Sequence, residues 1–185
     1  MKTYRHNDIL TVVIYLRTYF TKTAHLGFSQ WSTDDISLAR ILWGDPKVTR
    51  FICAHGAFTE DEISAKLENE IQNLQNHGTQ YFPIFELSTG DFVGCCGVHF
   101  FDGRYELGYH LRPEFWGRGY ATEAAKAAME IFAEKHPDAT LYAGHHPDHT
   151  VSSHILKKIG FEQFRTVFYE PTGLQHPLYI KNAGR

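Results

Sequence analysis

The stretch Leu111-Arg112-Pro113-Glu114-Phe115-Trp116-Gly117-Arg118-Gly119-Tyr120-Ala121-Thr122-Glu123-Ala124 sets two glycines between a strand-like and a helix-like segment. Glycine lets a backbone come close to a bulky anion, and the first turn of a helix aims its free N–H groups at that anion. The helix dipole favours negative charge there, and Arg118 adds a cation. Together these make the chemistry of a phosphate or pyrophosphate site, against the plainer alternative that Gly117 and Gly119 only form a tight turn. A Gly-Lys-Ser/Thr P-loop occurs nowhere in the chain. A dinucleotide fold wants a third small residue and a later acid, but Ala121 comes one position early and Leu141-Tyr142-Ala143-Gly144 carries no acid.

Other reactive side chains lie on segments leading to or following this turn. Glu106 precedes Leu111 on the same strand-like segment, either as a proton acceptor or as an exposed strand carboxylate. Ser152 falls in the first turn of a later helix, where a hydroxyl can also simply cap the backbone. His145, His146, His149 and His154 invite a metal reading. Adjacent histidines are poorly spaced to share one ion, however, and no cysteine or acid forms a matching pair, so no metal is expected. Three cysteines, Cys53, Cys95 and Cys96, cannot pair completely. Cys95 and Cys96 should point to opposite faces of a buried strand as inert thiols, which suits a reducing, cytoplasmic setting.

The elements that position these residues follow from periodicity and punctuation. Thr11 to Tyr15 and Tyr19 to Phe28 read as strands. A helix opens at Ser32-Thr33-Asp34-Asp35 and stops at Gly44-Asp45-Pro46; a second runs from the capping box Thr59-Glu60-Asp61-Glu62 to Gly78. Strands follow at Gln80 to Leu87, Phe92 to Phe100 and Arg104 to Leu111, the last two joined by the hairpin signal Asp102-Gly103. A helix begins past Gly119 and ends before Pro137. Thr140 to Gly144 reads as a strand, Thr150 to Ile159 as a helix closed by Gly160, then Phe161 to Tyr169 and Pro177 to Lys181 as strands. The pattern predicts an α/β (α+β) mixed sheet covered by helices.

The 185 residues suit one domain, and a formal net charge of −3 with a hydrophobic share of 43% argues against nucleic acid as partner. No run approaches the ~20 apolar residues of a membrane span, and Ile9 to Tyr15 lacks a signal-peptide cleavage site. Residues 1–22 read as an extension able to supply an extra strand, and 23–185 as the domain proper.

Glu106-Leu107-Gly108-Tyr109 followed by Trp116-Gly117-Arg118-Gly119-Tyr120-Ala121-Thr122-Glu123-Ala124 resembles the GCN5-related N-acetyltransferase (GNAT) superfamily, and specifically its Rim-type branch, whose members acetylate ribosomal protein N-termini. Ser152, Leu156, Lys158, Gly160 and Phe161 resemble that branch's Asn-x-x-Ser-x-x-x-Leu-x-Lys-x-Gly-Phe pattern, and Trp43 to Thr49 its early helix and loop. The resemblance spans roughly Leu26 to Phe161 and implies a mostly antiparallel central sheet, helices on both faces, and a splayed strand pair at the cofactor site. It implies acetyl-coenzyme A as co-substrate, with the pyrophosphate on the amides of Trp116, Gly117, Arg118, Gly119, Tyr120, Ala121 and Thr122. The pantetheine arm would pair with the strand around His110 and Leu111, where a backbone N–H polarises the thioester carbonyl. An amine acceptor, a protein N-terminus or a small molecule, then attacks directly, with Glu106 as base and Ser152 as the acid for the thiolate. One departure stands out: the family asparagine that bonds the pantetheine is His149, which can replace the contact or act as a base. Leu156 stands where many members carry a tyrosine acid. The alternative is a coenzyme-binding regulatory module with little transfer; the assembly is expected to be a monomer or homodimer.

Overall fold

The structure, a computed structural model, describes residues 17–170 and 172–182. Its strands are β1 (Thr21–Lys22), β2 (Leu26–Phe28), β3 (Tyr81–Glu86), β4 (Phe92–Phe101), β5 (Arg104–Leu111), β6 (Thr140–Gly144), β7 (Glu162–Tyr169) and β8 (Leu174–Asn182). The helices are α1 (Ile36–Trp43), α2 (Pro46–Thr49), α3 (Glu60–His77), α4 (Tyr120–Lys135) and α5 (Thr150–Lys158), with short 3-10 turns at Thr33–Asp35 and Pro113–Phe115. All strands form one sheet in the order β1-β2-β3-β4-β5-β6-β8-β7. Every neighbouring pair is antiparallel except β5 and β6.

Local chemistry accounts for most boundaries. Thr59 and Glu62 close a reciprocal capping box at the start of α3, and Gly78, at φ 70°, ends it in the left-handed region. Asp102 (φ 48°) and Gly103 (φ 74°) both adopt the positive φ that a two-residue hairpin turn demands. Thr11 to Tyr15 lies outside the described residues. Tyr19 to Phe28 is not one strand: the Thr23 hydroxyl accepts from the Leu26 amide at 3.0 Å, and the Thr23 amide donates to Leu26 O at 2.8 Å. That local bonding competes with extension and folds the segment into the β1–β2 hairpin. Pro177 to Lys181 belongs to a longer strand, because β8 pairs along its length with β7 on one side and β6 on the other.

The sheet separates two apolar layers. On one face α4 packs its small residues Ala124, Ala125 and Ala128, with Phe132, against Val93, Cys96, Val98, Leu107 and Leu111. On the other, Trp31, Leu42, Trp43, Ile63 and Leu67 of the α1–α3 layer cover Phe85, Phe92 and Cys95. A bulge in β4 connects the two: Phe85 pairs with Phe92 but Ile84 pairs with Gly94, so β4 holds one extra residue here. The bulge shifts the in/out alternation. Phe92 and Cys95 share one face, and Val93 and Cys96 the other. Arg17 joins the start of the described chain to the domain through two hydrogen bonds to Asp35 and one to Gln30 O. No described helix is long and apolar enough to cross a membrane.

Candidate active site

Between β5 and α4 the chain presents a run of amides with no internal use. The Trp116 amide donates to Pro113 O at 3.2 Å and the Glu123 amide to Gly119 O at 3.1 Å, but no N–H from Gly117 to Thr122 donates to a described acceptor. Gly117 (φ 74°) and Gly119 (φ 82°) hold the left-handed conformation that turns these groups outward, and nothing lies within 4 Å of either missing Cβ. The space in front of the amides is therefore open to a bulky anion, and the N-terminus of the 16-residue α4 adds its dipole. Ala121 and Thr122 supply the first-turn amides. Tyr120 contributes only its amide, since its ring is core and its hydroxyl donates to Glu86 at 2.5 Å. Arg118 is drawn onto the same Glu86 carboxylate at 3.3 Å. The Tyr120 and Thr89 hydrogen bonds hold Glu86 below the ordinary carboxylate range. Glu123, also in the first turn, is turned away to accept from Thr23, the His25 amide and the His25 ring at 2.5, 2.8 and 2.9 Å. These bonds tie the β1–β2 turn to the helix start and leave the Glu123 carboxylate engaged.

A gap opens beside this cradle. β5 and β6 pair only at Tyr105 with Leu141 and Glu106 with Tyr142, after which the parallel strands diverge. Antiparallel ladders alternate hydrogen-bonded and open pairs. The Arg112 amide donates to Val93 O at 2.9 Å, so the His110–Cys95 pair is bonded and the Leu111–Gly94 pair is open. His110 thus differs from its expected role: its amide belongs to the β4 ladder, while the amides of Tyr109 and Leu111 face the gap. Leu111 O is taken by the Trp116 indole N–H at 2.7 Å, which leaves its N–H. Gly94 permits this arrangement. A Cβ there would stand 2.1 Å from His110 O and 2.9 Å from the Leu111 Cα.

The His110 side chain points to the α1–α3 side, where the Trp43 indole donates to Nδ1 at 3.2 Å and the Tyr81 ring lies edge-on at 5.7 Å. The hydrogen is therefore on Nε2, and burial drives the imidazole down to about 3, so it stays neutral. Glu106 shares this side of β5. Burial raises its carboxyl, with Arg104 and His99 offsetting only part. No described residue hydrogen-bonds that carboxylate, which leaves it free to accept a proton. His99, its neighbour across the ladder, is held by Glu70 at Nδ1 (3.3 Å) and by the Asn73 amide at Nε2 (3.1 Å).

Ser152 sits in the first turn of α5, buried, with its Oγ 2.9 Å from Nδ1 of His149. The Tyr109 hydroxyl donates to Ser152 O at 3.4 Å, linking α5 to the diverging part of β5. The His149 ring stacks on Phe51 with centroids 4.7 Å apart, and His146 lies over the same ring at 5.0 Å. Leu156 is core, at 1% exposure, with no polar role. Among the described residues no three His, Cys, Asp or Glu side chains converge as metal ligands, and Cys53, Cys95 and Cys96 are buried free thiols. The β4 bulge and the Glu86 anchor carried no motif signal, and Trp43 and Glu123, though inside the motifs quoted above, gave no sign of their contacts with His110 or with Thr23 and His25. The glycines flanking Cys95 and Cys96, inside a strand, are the signal that could have shown a close backbone approach.

The model of the acetyltransferase (GNAT) domain matches residues 25–162. An uncharacterized N-acetyltransferase, p20, of Bacillus licheniformis is 26% identical over 145 residues, covering 76% of this chain and 81% of that protein. A GNAT-family acetyltransferase from Bacillus anthracis superposes with a TM-score of 0.73 at 22% identity, covering 89% of this chain and 98% of that one. A ribosomal L7/L12 alpha-N-protein acetyltransferase solved with coenzyme A gives a TM-score of 0.74 at 13% identity, over 88% of this chain and 96% of its own. The two structures share the fold of this chain. The chain belongs to the GNAT acetyltransferase family, and is an acyltransferase.

Proposed function

We propose that this acyltransferase takes the acetyl group of acetyl-coenzyme A and hands it to a primary amine by direct attack, without a covalent acetyl-enzyme. The run of unused amides from Gly117 to Thr122, at the mouth of the β5–β6 gap, carries this reading. It suits a pyrophosphate in charge, geometry and open space, and the ribosomal L7/L12 acetyltransferase of like fold is named as a coenzyme A complex. The pantetheine arm extends the open edge of β5, with the amide of Tyr109 or Leu111 stabilising the oxyanion that forms on the thioester carbonyl. Glu106, with its raised carboxyl, accepts the first proton of the incoming ammonium. Ser152 donates to the departing thiolate. The acceptor is a protein N-terminus or a small amine, and lies on the α1–α3 side with Glu106.

Calorimetric titration with acetyl-coenzyme A, and separately with NADH, tests the donor assignment. Micromolar binding of the first alone, followed by thiol release when free-amine tripeptides or aliphatic polyamines are added, is the expected result. Binding without release from any amine would leave a coenzyme-binding regulatory module in place of a transferase.

A further inference from the structure

His149 occupies the place where the resembled family carries asparagine, and the structure gives it two distinct ring nitrogens. Nδ1 meets the Ser152 hydroxyl at 2.9 Å. Nε2 has no hydrogen-bond partner among the described residues. The ring plane is fixed by stacking on Phe51, 4.7 Å between centroids at 27°, and Phe51 in turn carries the Arg50 guanidinium at 4.3 Å. An asparagine in this position can position a ligand but cannot exchange protons near neutral pH. An imidazole can do both, accepting at one nitrogen while donating from the other.

We propose that His149 and Ser152 form a proton relay that carries the amine's second proton to the leaving thiolate; this rests on the transferase reading above. The first proton of the ammonium goes to Glu106 and on to solvent. The amine lone pair then forms the C–N bond, and the nitrogen's second proton passes to Nε2 of His149. Nδ1–H passes its proton to Ser152 Oγ, and the Ser152 O–H gives its own to sulfur as the C–S bond breaks and its electron pair moves to sulfur. The ring begins and ends neutral, having exchanged one tautomer for the other, so no charge is created in a half-buried place. Its surroundings suit that economy. His145 and His146 face it from the β6–α5 loop, Arg50 from beyond α2, and His110 from β5, and none of them is an anion that would stabilise an imidazolium. Burial first, then His145, Arg50 and His146, hold the ring below the ordinary histidine range.

The test compares wild type with His149→Asn, His149→Gln, Ser152→Ala and the double variant His149→Asn/Ser152→Ala. Acetyl-coenzyme A binding is measured by calorimetry, and thiol release with the amine that wild type uses. His149→Asn is expected to bind acetyl-coenzyme A within a few-fold of wild type while kcat falls by about 10²-fold, the lower end of general acid–base effects. The solvent deuterium effect on kcat should shrink, and its dependence on deuterium fraction should change from curved to linear. The double variant should be no slower than the slower single one, since members of one relay fail as a unit. His149→Gln, close in shape, guards against a folding artefact and should behave like His149→Asn. A His149→Asn enzyme with wild-type kcat and an unchanged deuterium effect would overturn the relay alone. A wild type that binds acetyl-coenzyme A yet acetylates no amine would overturn the transferase reading and the relay with it.

Discussion

Two glycines in this chain have positive φ for different reasons, and replacing each by alanine should separate fold from ligand binding. At Gly94 (φ 146°) a Cβ would lie 2.1 Å from His110 O, a separation that demands backbone movement. The obstacle is the neighbouring strand and not the end of a flexible side chain. β4 must withdraw, straining or breaking the bonds of the flanking Cys95–His110 and Val93–Arg112 pairs. Two weakened hydrogen bonds at about 1 kcal/mol each, with 1–2 kcal/mol of backbone strain, give roughly 3–4 kcal/mol. For a chain of this size that lowers Tm by roughly 6–16 °C. At Gly119 (φ 82°) nothing lies within 4 Å, so Gly119→Ala meets only the strain of its conformation. That is about 1 kcal/mol and a Tm loss of roughly 2–4 °C. Its methyl, however, stands within the amide run, at the start of α4. Misaligning one amide–phosphate hydrogen bond costs about 1.5–3 kcal/mol, or roughly a 10–150-fold weaker Kd for acetyl-coenzyme A. Scanning calorimetry and titration on the same two variants decide the matter. A Gly94→Ala protein that melts with wild type would refute the close approach of β4 to β5. A Gly119→Ala protein with wild-type affinity would refute the amide run as the anion site.

Glu106→Gln should lose activity yet gain stability. Burial raises the folded carboxyl above its unfolded value, so the fold binds the extra proton and loses stability as pH rises from the unfolded value, near 4.5, through the folded one. The Tm gain of the variant should therefore be present at pH 8 and absent at pH 4, and the acid limb of wild-type kcat/KM should lie above the usual carboxylate range and vanish in Glu106→Gln. Equal melting of the two proteins at both pH values would contradict the desolvation of this half-buried carboxyl. Cys95 and Cys96 are buried, and desolvation holds both thiols high, Cys95 well above its ordinary value. Neither should react with a disulfide reagent until the protein unfolds, and fast labelling of either in the native state would refute that burial.

The sequence by itself determined what depends on near neighbours in the chain. The Thr59 capping box and Gly78 bound α3, Asp102-Gly103 turns β4 into β5, and Gly117 and Gly119 open α4 with free amides; each is a local rule, legible wherever its residues stand. The spaced motifs from Glu106 to Phe161 identified the superfamily for the same reason. Tertiary structure decided the rest. The extra residue at Val93–Gly94 shows only when β4 is laid against β3, and it sends Cys95 to the Trp43 side and Cys96 to the α4 side. Ladder alternation between β4 and β5, counted unbroken from the hairpin turn, leaves the amides of Tyr109 and Leu111 open while closing that of His110. Thr23 bends a segment that alternates like a strand, because its hydroxyl offers the backbone a nearer partner. Glu106 reads from the sequence as either a proton acceptor or an exposed strand carboxylate, and only packing shows that its carboxyl is desolvated. The Ser152–His149 contact spans three residues and was within reach of helical spacing, but the stacking on Phe51 that fixes the imidazole comes from nearly a hundred residues earlier in the chain, where no local rule can see it.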